Sequence, residues 1–296
     1  MKKNLMLIIN PAAGRGSYKS YFGDAMHALD RGGCRTTLFF TSGPREATDF
    51  VVKYGAAYDI VACVGGDGTL SEVVSGLMQL ESPPPLGYIP MGTTNDVATT
   101  LGLPKNDTVG AVKRILEGTP SPFDVGRFGD DKYFAYIAAF GIFTEVSYTT
   151  PQTQKKTLGH LAYILQGMAQ LPKLESYNVK VEFDGGEVEG RFLYGSMSNS
   201  ISVAGILRLP EEKVCLGDGM SELVLVRDPG SVEGFSDIVA SAISQNYDRE
   251  NILMRHTRWA RFTFDKPVAW TRDGEAGGKY SQIELFNHKA PIRMIF

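Results

Sequence analysis

Cysteine is scarce in this chain of 296 residues: Cys34, Cys63 and Cys215 stand far apart and form no CxxC pair. A sparse, odd set excludes a disulfide framework and fits reduced thiols in a cytoplasmic protein. Cys63, inside an apolar run, reads as a small core residue. Histidine is thin too, with His27, His160, His256 and His288 at no ligand spacing. No charge of one sign dominates, since 30 basic and 33 acidic residues leave a net −3, and nucleic acid is not expected as a partner. Long hydrophobic runs are missing as well. The stretch Leu5–Ile9 stops at Asn10-Pro11, too short for a signal-peptide core, and nothing approaches the ~18 apolar residues of a membrane span. Internal repeats and low-complexity tracts are absent.

What is present is a globular balance of 43% hydrophobic and 21% charged residues, in a chain long enough for two domains. The first 120 residues alternate buried strands with amphipathic helices, the pattern of a parallel α/β sheet. Strands are predicted at Leu5–Ile9, Thr36–Thr41, Asp59–Val64 and Leu86–Ile89. Helices are predicted near Tyr18–Asp30, Glu46–Tyr54 and Val109–Leu116, and after Gly66, where Leu70, Val73, Val74, Leu77 and Met78 share one face. After Gly118-Thr119-Pro120-Ser121-Pro122 short strand-like segments take over, among them Tyr133–Phe140, Arg191–Ser196, Leu223–Val226, Arg261–Phe264 and Val268–Arg272. Two helical stretches, near Leu158–Gln170 and Val232–Ser244, interrupt them. The expected fold is therefore two-domain: an α/β N-terminal domain over 1–120, and a C-terminal β-sandwich over 121–296 whose last few residues are free to return to the first domain.

Gly65-Gly66-Asp67-Gly68-Thr69 joins a predicted strand to a helix, so free N–H groups and the helix dipole face the turn. Glycines let an anion approach the backbone closely. No GKS or GKT follows, so this is not a Walker A loop. Asp67 is the oddity: a carboxylate there would repel phosphate unless a cation or a donor hydroxyl stood between, which points to a magnesium nucleotide or a polyol. The plain alternative is a tight turn in which Asp67 bonds local backbone. Two further small-residue loops follow strands, at Asn10–Gly16 and Pro90–Asp96. In an open α/β sheet ligands sit beyond the carboxyl ends of the strands, so one shared crevice is expected. Taken alone, Asp96 reads as a helix cap and Asp273-Gly274-Glu275 as a polar hairpin turn.

Taken together, Asn10-Pro11-x-x-Gly14, Gly65–Thr69 with Glu72, Gly92-Thr93-x-Asn95-Asp96, Asp218-Gly219 and Asp273-Gly274-Glu275 resemble the diacylglycerol kinase catalytic-domain family. That family includes sphingosine, ceramide and bacterial lipid kinases, and the matching segments span nearly the whole chain. The resemblance implies a nucleotide site for ATP at Asn10, Pro11, Gly14, Thr41, Gly65, Gly66, Asp67, Gly68, Thr69, Gly92, Thr93 and Asn95, with Glu72 just beyond. It implies that Asp67, Asp96 and Asp124 organise catalytic Mg²⁺ through water. Glu275, with Asp273 beside it, matches the general base, and Asp218 with the carbonyls of Cys215 and Met220 matches a second, structural Mg²⁺ site. The implied partner is a lipid met at the inner face of the membrane, and a homodimer stays open.

The chain departs from the family at Ile137–Thr144, at Gly217-Asp218, and at Ser198–Ser202, which lacks a glycine-rich ending. The GGDGT turn also occurs in NAD kinases and phosphofructokinases, whose sheets the first domain resembles, so a soluble acceptor is the alternative substrate. A nucleotide- or lipid-binding regulator without turnover is the alternative to an enzyme. Lys155–His160, ahead of an apolar helix, reads as the solvated start of a core helix, and Arg255, Arg258 and Arg261 as strand-surface charges.

Overall fold

The structure is a computed structural model that describes residues 2–16, 18–105, 107–142, 175–203, 207–209, 214–244, 247 and 251–296. The expected helix at 158–170 and the basic stretch 155–160 lie outside the described residues. No described helix is long and apolar enough to cross a membrane.

Four strands, β1 (Lys3–Ile9), β2 (Cys34–Phe40), β3 (Ile60–Gly65) and β4 (Leu86–Pro90), pair in parallel in the order β4-β3-β1-β2. The near-continuous apolar runs of β1, β3 and β4 suit strands covered on both faces, while β2 at the edge is largely exposed. Helices α1 (Tyr18–Arg31), α2 (Glu46–Tyr54), α3 (Asp67–Leu77), α4 (Asp96–Thr100) and α5 (Thr108–Glu117) connect or follow them. Helix α3 buries Leu70, Val73, Val74 and Leu77, as its spacing predicts. It lies tight on α2 because Gly76 has no side chain: a methyl there would stand 2.7 Å from Val51 Cβ.

From β5 (Pro120–Phe128) onward the strands turn antiparallel. Those that position the site are β6 (Lys132–Phe134), β7 (Ile137–Gly141), β9 (Gly186–Ser198), β12 (Ser221–Arg227), β14 (Trp259–Arg272) and β15 (Glu275–Ile295). They do not stand apart from the parallel strands. One hydrogen-bonded path runs β13-β12-β9-β7-β14-β15-β4-β3-β1-β2, with β13 at Ile252–Thr257. The bridge is β15, 21 residues long, which pairs antiparallel with β14 and β5 and ends parallel to β4 at Met294↔Leu86.

Two expected strands differ in outline. Tyr133–Phe140 breaks into β6 and β7, because the N–H groups of Ala135 and Tyr136 turn to a carboxylate instead of a neighbouring strand. Arg261–Phe264 and Val268–Arg272 merge into β14, whose register shifts between Thr263 and Val268. Asp265-Lys266-Pro267 between them reads as a turn in the sequence but is an irregularity within one strand.

Three buried clusters fill the molecule. One packs Leu5, Leu7, Ile9, Ala111 and Ile115 on one face of the parallel sheet. A second joins Met6, Ile8 and Val73 to Tyr194, Val224 and Phe235, so its core runs through both halves of the chain. The third is aromatic and centres on Trp270, whose ring lies 5.0 Å from Phe262 and 5.1 Å from Phe140 between centroids. Such offset and edge contacts add to the area buried. Trp270→Ala is expected to cost about 3–5 kcal/mol of stability, read as a shifted urea midpoint at unchanged slope.

Candidate active site

Beyond the carboxyl ends of β1, β3 and β4 the backbone presses the loops together. The Asn10 N–H donates to the Val64 carbonyl at 3.0 Å, Met91 N–H to Gly65 O at 2.7 Å, and Thr41 N–H to Ile9 O at 2.9 Å. Asn10 turns its amide both ways: Nδ2 donates to Thr69 Oγ1 at 3.0 Å, and Oδ1 accepts from the Ala12 N–H at 3.0 Å. Gly14 holds a positive φ of 56°, which suits glycine. Between the second and third loops nothing larger than glycine fits. A methyl on Gly92 would stand 2.5 Å from Gly66 Cα, and one on Gly66 would stand 3.2 Å from Gly92 Cα. Asn10, Pro11, Gly14, Gly65, Gly66, Gly68, Thr69, Gly92 and Thr93 thus lie on three adjoining loops, with Thr41 beside them on a fourth, after β2. Small side chains leave their backbone open to an anion.

Asp67 opens α3 and reaches across to α4. Its Oδ2 accepts from the Asp96 N–H at 3.1 Å and Oδ1 from the Val97 N–H at 3.4 Å. The carboxylate therefore bonds backbone, but backbone of a different loop, and it locks the second loop to the third. Asp67 is only partly shielded from solvent, yet burial and then the neighbouring Asp96 carboxylate push it up to about 7, against those two hydrogen bonds. Asp96 is 1% exposed. Two crowded carboxylates with no lysine or arginine among the groups that shift Asp67 suit a divalent ion. Among the described residues no three His, Cys, Asp or Glu side chains converge closely enough to hold one directly. Contact through water fits, because Mg²⁺ keeps several waters.

The turn Asp273-Gly274-Glu275 joins β14 to β15 and faces this crevice. Asp273 is 3% exposed and takes a φ of 49°. Its Oδ2 accepts from the Ala135 N–H at 2.7 Å, and its Oδ1 from Tyr136 at 3.0 Å and Ile137 at 3.1 Å. Its own N–H donates to the Ile137 carbonyl at 2.9 Å. Burial raises its pKa, and bonds from Ser71 and the three amides counter that. Glu275, two residues on, is exposed and approaches the glycine turn: a methyl on Gly68 would stand 3.4 Å from Glu275 Oε1. The final acidic turn and the GGDGT loop thus share one crevice.

Several expected site residues are occupied elsewhere. Glu72 points away, its Oε1 accepting from the Arg45 N–H at 2.8 Å and its Oε2 from the Ala47 N–H at 3.2 Å. It caps the start of α2 from the neighbouring helix. Asn95, 3% exposed at φ 51°, folds back on its own loop: Oδ1 accepts from the Gly92 N–H at 2.9 Å, and Nδ2 donates to Gly92 O at 2.8 Å. Asp124, fully buried, accepts from the N–H groups of Ala290 at 2.6 Å and Gly219 at 2.7 Å, and from Asn287 Nδ2 at 3.1 Å. Burial raises it, and the Asp218 carboxylate adds to the rise. Cys215 and Asp218 are exposed at that place, and the Met220 N–H donates to Asp218 Oδ1 at 2.8 Å.

Sequence reasoning missed three buried groups. Tyr88 and Tyr136 lie among the acids: burial raises both, and Asp67 and Asp96 raise them further. Tyr88 donates to Asn95 Oδ1 at 3.2 Å. Glu222, on β12, is 1% exposed, and burial pushes it up to about 9 with help from Asp218 and Asp124. An apolar strand context hid all three.

Residues 4–128 match the family model described as the diacylglycerol kinase catalytic domain. The diacylglycerol kinase of Bacillus subtilis (strain 168) is 31% identical to this chain over 289 residues, 97% of this chain and 95% of that protein. The diacylglycerol kinase of Staphylococcus aureus (strain MRSA252) is 32% identical over 281 residues, 94% of this chain and 88% of that one. A solved structure of a diacylglycerol kinase from Bacillus anthracis str. Sterne shares the fold at a TM-score of 0.78, covering 99% of this chain and 97% of that one at 22% identity.

Asp273→Ala strands three N–H groups and is expected to lower the melting temperature by more than about 5 °C, as scanning calorimetry would report. Glu222 gives the pH dependence a definite sign. Its folded value of about 9 lies above the ordinary 4.5, so the folded protein keeps a proton that the unfolded chain releases. The stability it contributes is complete below about pH 4.5 and drains away as pH rises towards 9. Urea midpoints measured from pH 5 to 9 should fall, and Glu222→Gln should flatten that slope.

Proposed function

The chain belongs to the diacylglycerol kinase family and is a lipid kinase, and from that premise we propose that it moves the γ-phosphoryl group of ATP to the free hydroxyl of a diacylglycerol-type lipid. The observation that carries this reading is the approach of Glu275 to Gly68. It sets an exposed carboxylate, with solvent access for an acceptor, against the loop where phosphate oxygens would settle.

The three adjoining loops cradle the triphosphate, with Gly65, Gly66, Gly68, Gly92 and Gly14 keeping the backbone clear and Asn10, Thr41, Thr69 and Thr93 bordering it. The α3 dipole favours negative charge at its first turn. Asp67 and Asp96 would hold Mg²⁺ through water, and that ion would supply charge neutralisation at the phosphates. Glu275 accepts the proton of the acceptor hydroxyl as the new O–P bond forms and the β–γ bridging bond breaks, with ADP leaving. Asp273 supports that base from behind: its carboxylate is committed to three amides and fixes the turn. Asp124 braces the segment carrying Asp218, where Cys215 and Met220 would supply carbonyls to a second ion. Because the acceptor is a lipid, we place the reaction at the inner membrane surface.

The test is incubation with labelled ATP, magnesium and mixed lipids, with the labelled product identified. Label confined to a soluble acceptor, or no transfer at all, would sink the reading. Glu275→Gln should lower kcat by about 10²–10⁴-fold while nucleotide binding by calorimetry stays intact. Asp67→Ala should abolish turnover and leave a folded protein, since the residue is the half-exposed first residue of α3 and packs no core side chain.

A further inference from the structure

Among the described residues, Arg45, Asn95, Asp273 and Ala290 hold a positive φ without being glycine. Asn95 and Asp273 belong to the crevice already described, and asparagine and aspartate tolerate the left-handed region. Arginine does not share that tolerance. Arg45 stands at φ 69° and ψ −9°, where its Cβ crowds the backbone and a glycine would not. Strain of this kind persists only where neighbouring contacts hold it, and it gathers at ligand-binding segments.

The contacts that hold Arg45 join it to the crevice. Its segment, Thr41–Arg45, leaves the carboxyl end of β2 and is tied to β1 by the Thr41 N–H on Ile9 O. Glu46 Oε2 accepts from the Ser42 N–H at 2.7 Å and closes the loop on itself. Glu72 Oε1 accepts from the Arg45 N–H at 2.8 Å and fixes the loop to α3. Helical side chains lean toward the N-terminus of their helix, so the Glu72 carboxylate leans toward the first turn of α3 and the glycine loop before it. Both acids are engaged by other donors: Glu46 by Ser42, and Glu72 by the N–H groups of Arg45 and Ala47. The exposed guanidinium of Arg45 pairs with no carboxylate among the described residues. Glu72 thus takes the backbone of Arg45 and leaves its charge for another partner. On the four loops at these strand ends the basic residues are Arg15 and Arg45. Lys105 reaches the third loop from outside it and donates to the Thr94 carbonyl at 2.8 Å. A triphosphate carries more negative charge than one divalent ion cancels, and a planar guanidinium meets phosphate through two parallel N–H bonds.

We propose that Arg45 is a nucleotide-binding residue, its guanidinium pairing with the triphosphate and its strained backbone setting that side chain at the rim of the crevice. This rests on the ATP reading and deepens it by naming the cation that faces the phosphates from the β2 side. Titration calorimetry on the full chain would compare Mg-ATP with adenosine, which keeps base and ribose and lacks phosphate. Arg45→Ala should weaken Mg-ATP about 10- to 100-fold, the range of a hydrogen bond to a charged group, and leave adenosine unchanged. Arg45→Lys should recover part of the loss, since the charge stays and the fork goes. Arg45→Gly separates side chain from backbone. It should weaken Mg-ATP as much as Arg45→Ala while the melting temperature holds or rises, because glycine suits φ 69°. In lipid phosphorylation the KM for ATP should rise and the KM for lipid should not. Unchanged Mg-ATP affinity in Arg45→Ala and Arg45→Gly overturns the assignment and makes Arg45 a plain surface charge. Equal losses on Mg-ATP and adenosine overturn it too, as a distorted loop. If the wild-type chain binds no Mg-ATP, the ATP reading itself falls and the assignment with it.

Discussion

Asp273 is the constraint on which the geometry of the crevice depends. A buried carboxylate is costly to keep, and here three successive amides, from Ala135, Tyr136 and Ile137, hold it in place. Those amides are available only because the chain breaks between β6 and β7, so the break in one strand and the turn between two others are a single device. The positive φ at Asp273 and at Gly274 completes it. Glu275 follows two residues later and inherits its position from that neighbour. A carboxylate with both oxygens engaged is a poor proton acceptor. The carboxylate beside it is exposed and unengaged by the amides, and on the reading proposed above this difference in surroundings divides the roles of two acids that look alike in sequence.

The same economy governs the other side of the crevice. Gly66 and Gly92 touch back to back, and Asp67 ties α3 to α4 through the N–H groups of Asp96 and Val97. The loops are therefore fixed by contacts among themselves and do not wait for a ligand to assemble. Crowding Asp67 against Asp96 is the cost of that fixing, and it is recovered wherever a hydrated cation lies between them and the nucleotide. A fold built only for stability would have replaced one of the two.

Much of this was legible in the sequence. The four parallel strands, the helix after Gly66 and the meeting of three small-residue loops follow from apolar runs, 3.6-residue spacing and glycine placement. The partners of individual side chains did not show, because hydrogen bonds across long separations leave no local pattern. Glu72 lies one turn beyond the GGDGT loop, yet it caps α2; Asn95 and Asp96 are adjacent, yet one holds its own loop and the other faces Asp67. Asp124 shares the charge of Asp67 but bonds to Gly219 and Ala290, residues that only the folded chain brings near. Glu222 reads as one polar letter in an apolar strand, and nothing in its neighbours announces that it is buried.

The single ladder also limits how the crevice can move. β15 begins at Glu275 and ends beside β4, and β4 runs out into the loop of Gly92. Glu275 and the loop of Gly92 are thus joined through one run of hydrogen-bonded strands. Sliding the acceptor face away from the nucleotide loops would shear a strand 21 residues long, paired along most of its length with β14 and β5. For phosphoryl transfer, which depends on placement more than on covalent help, a fixed spacing between base and phosphate loop is the useful property.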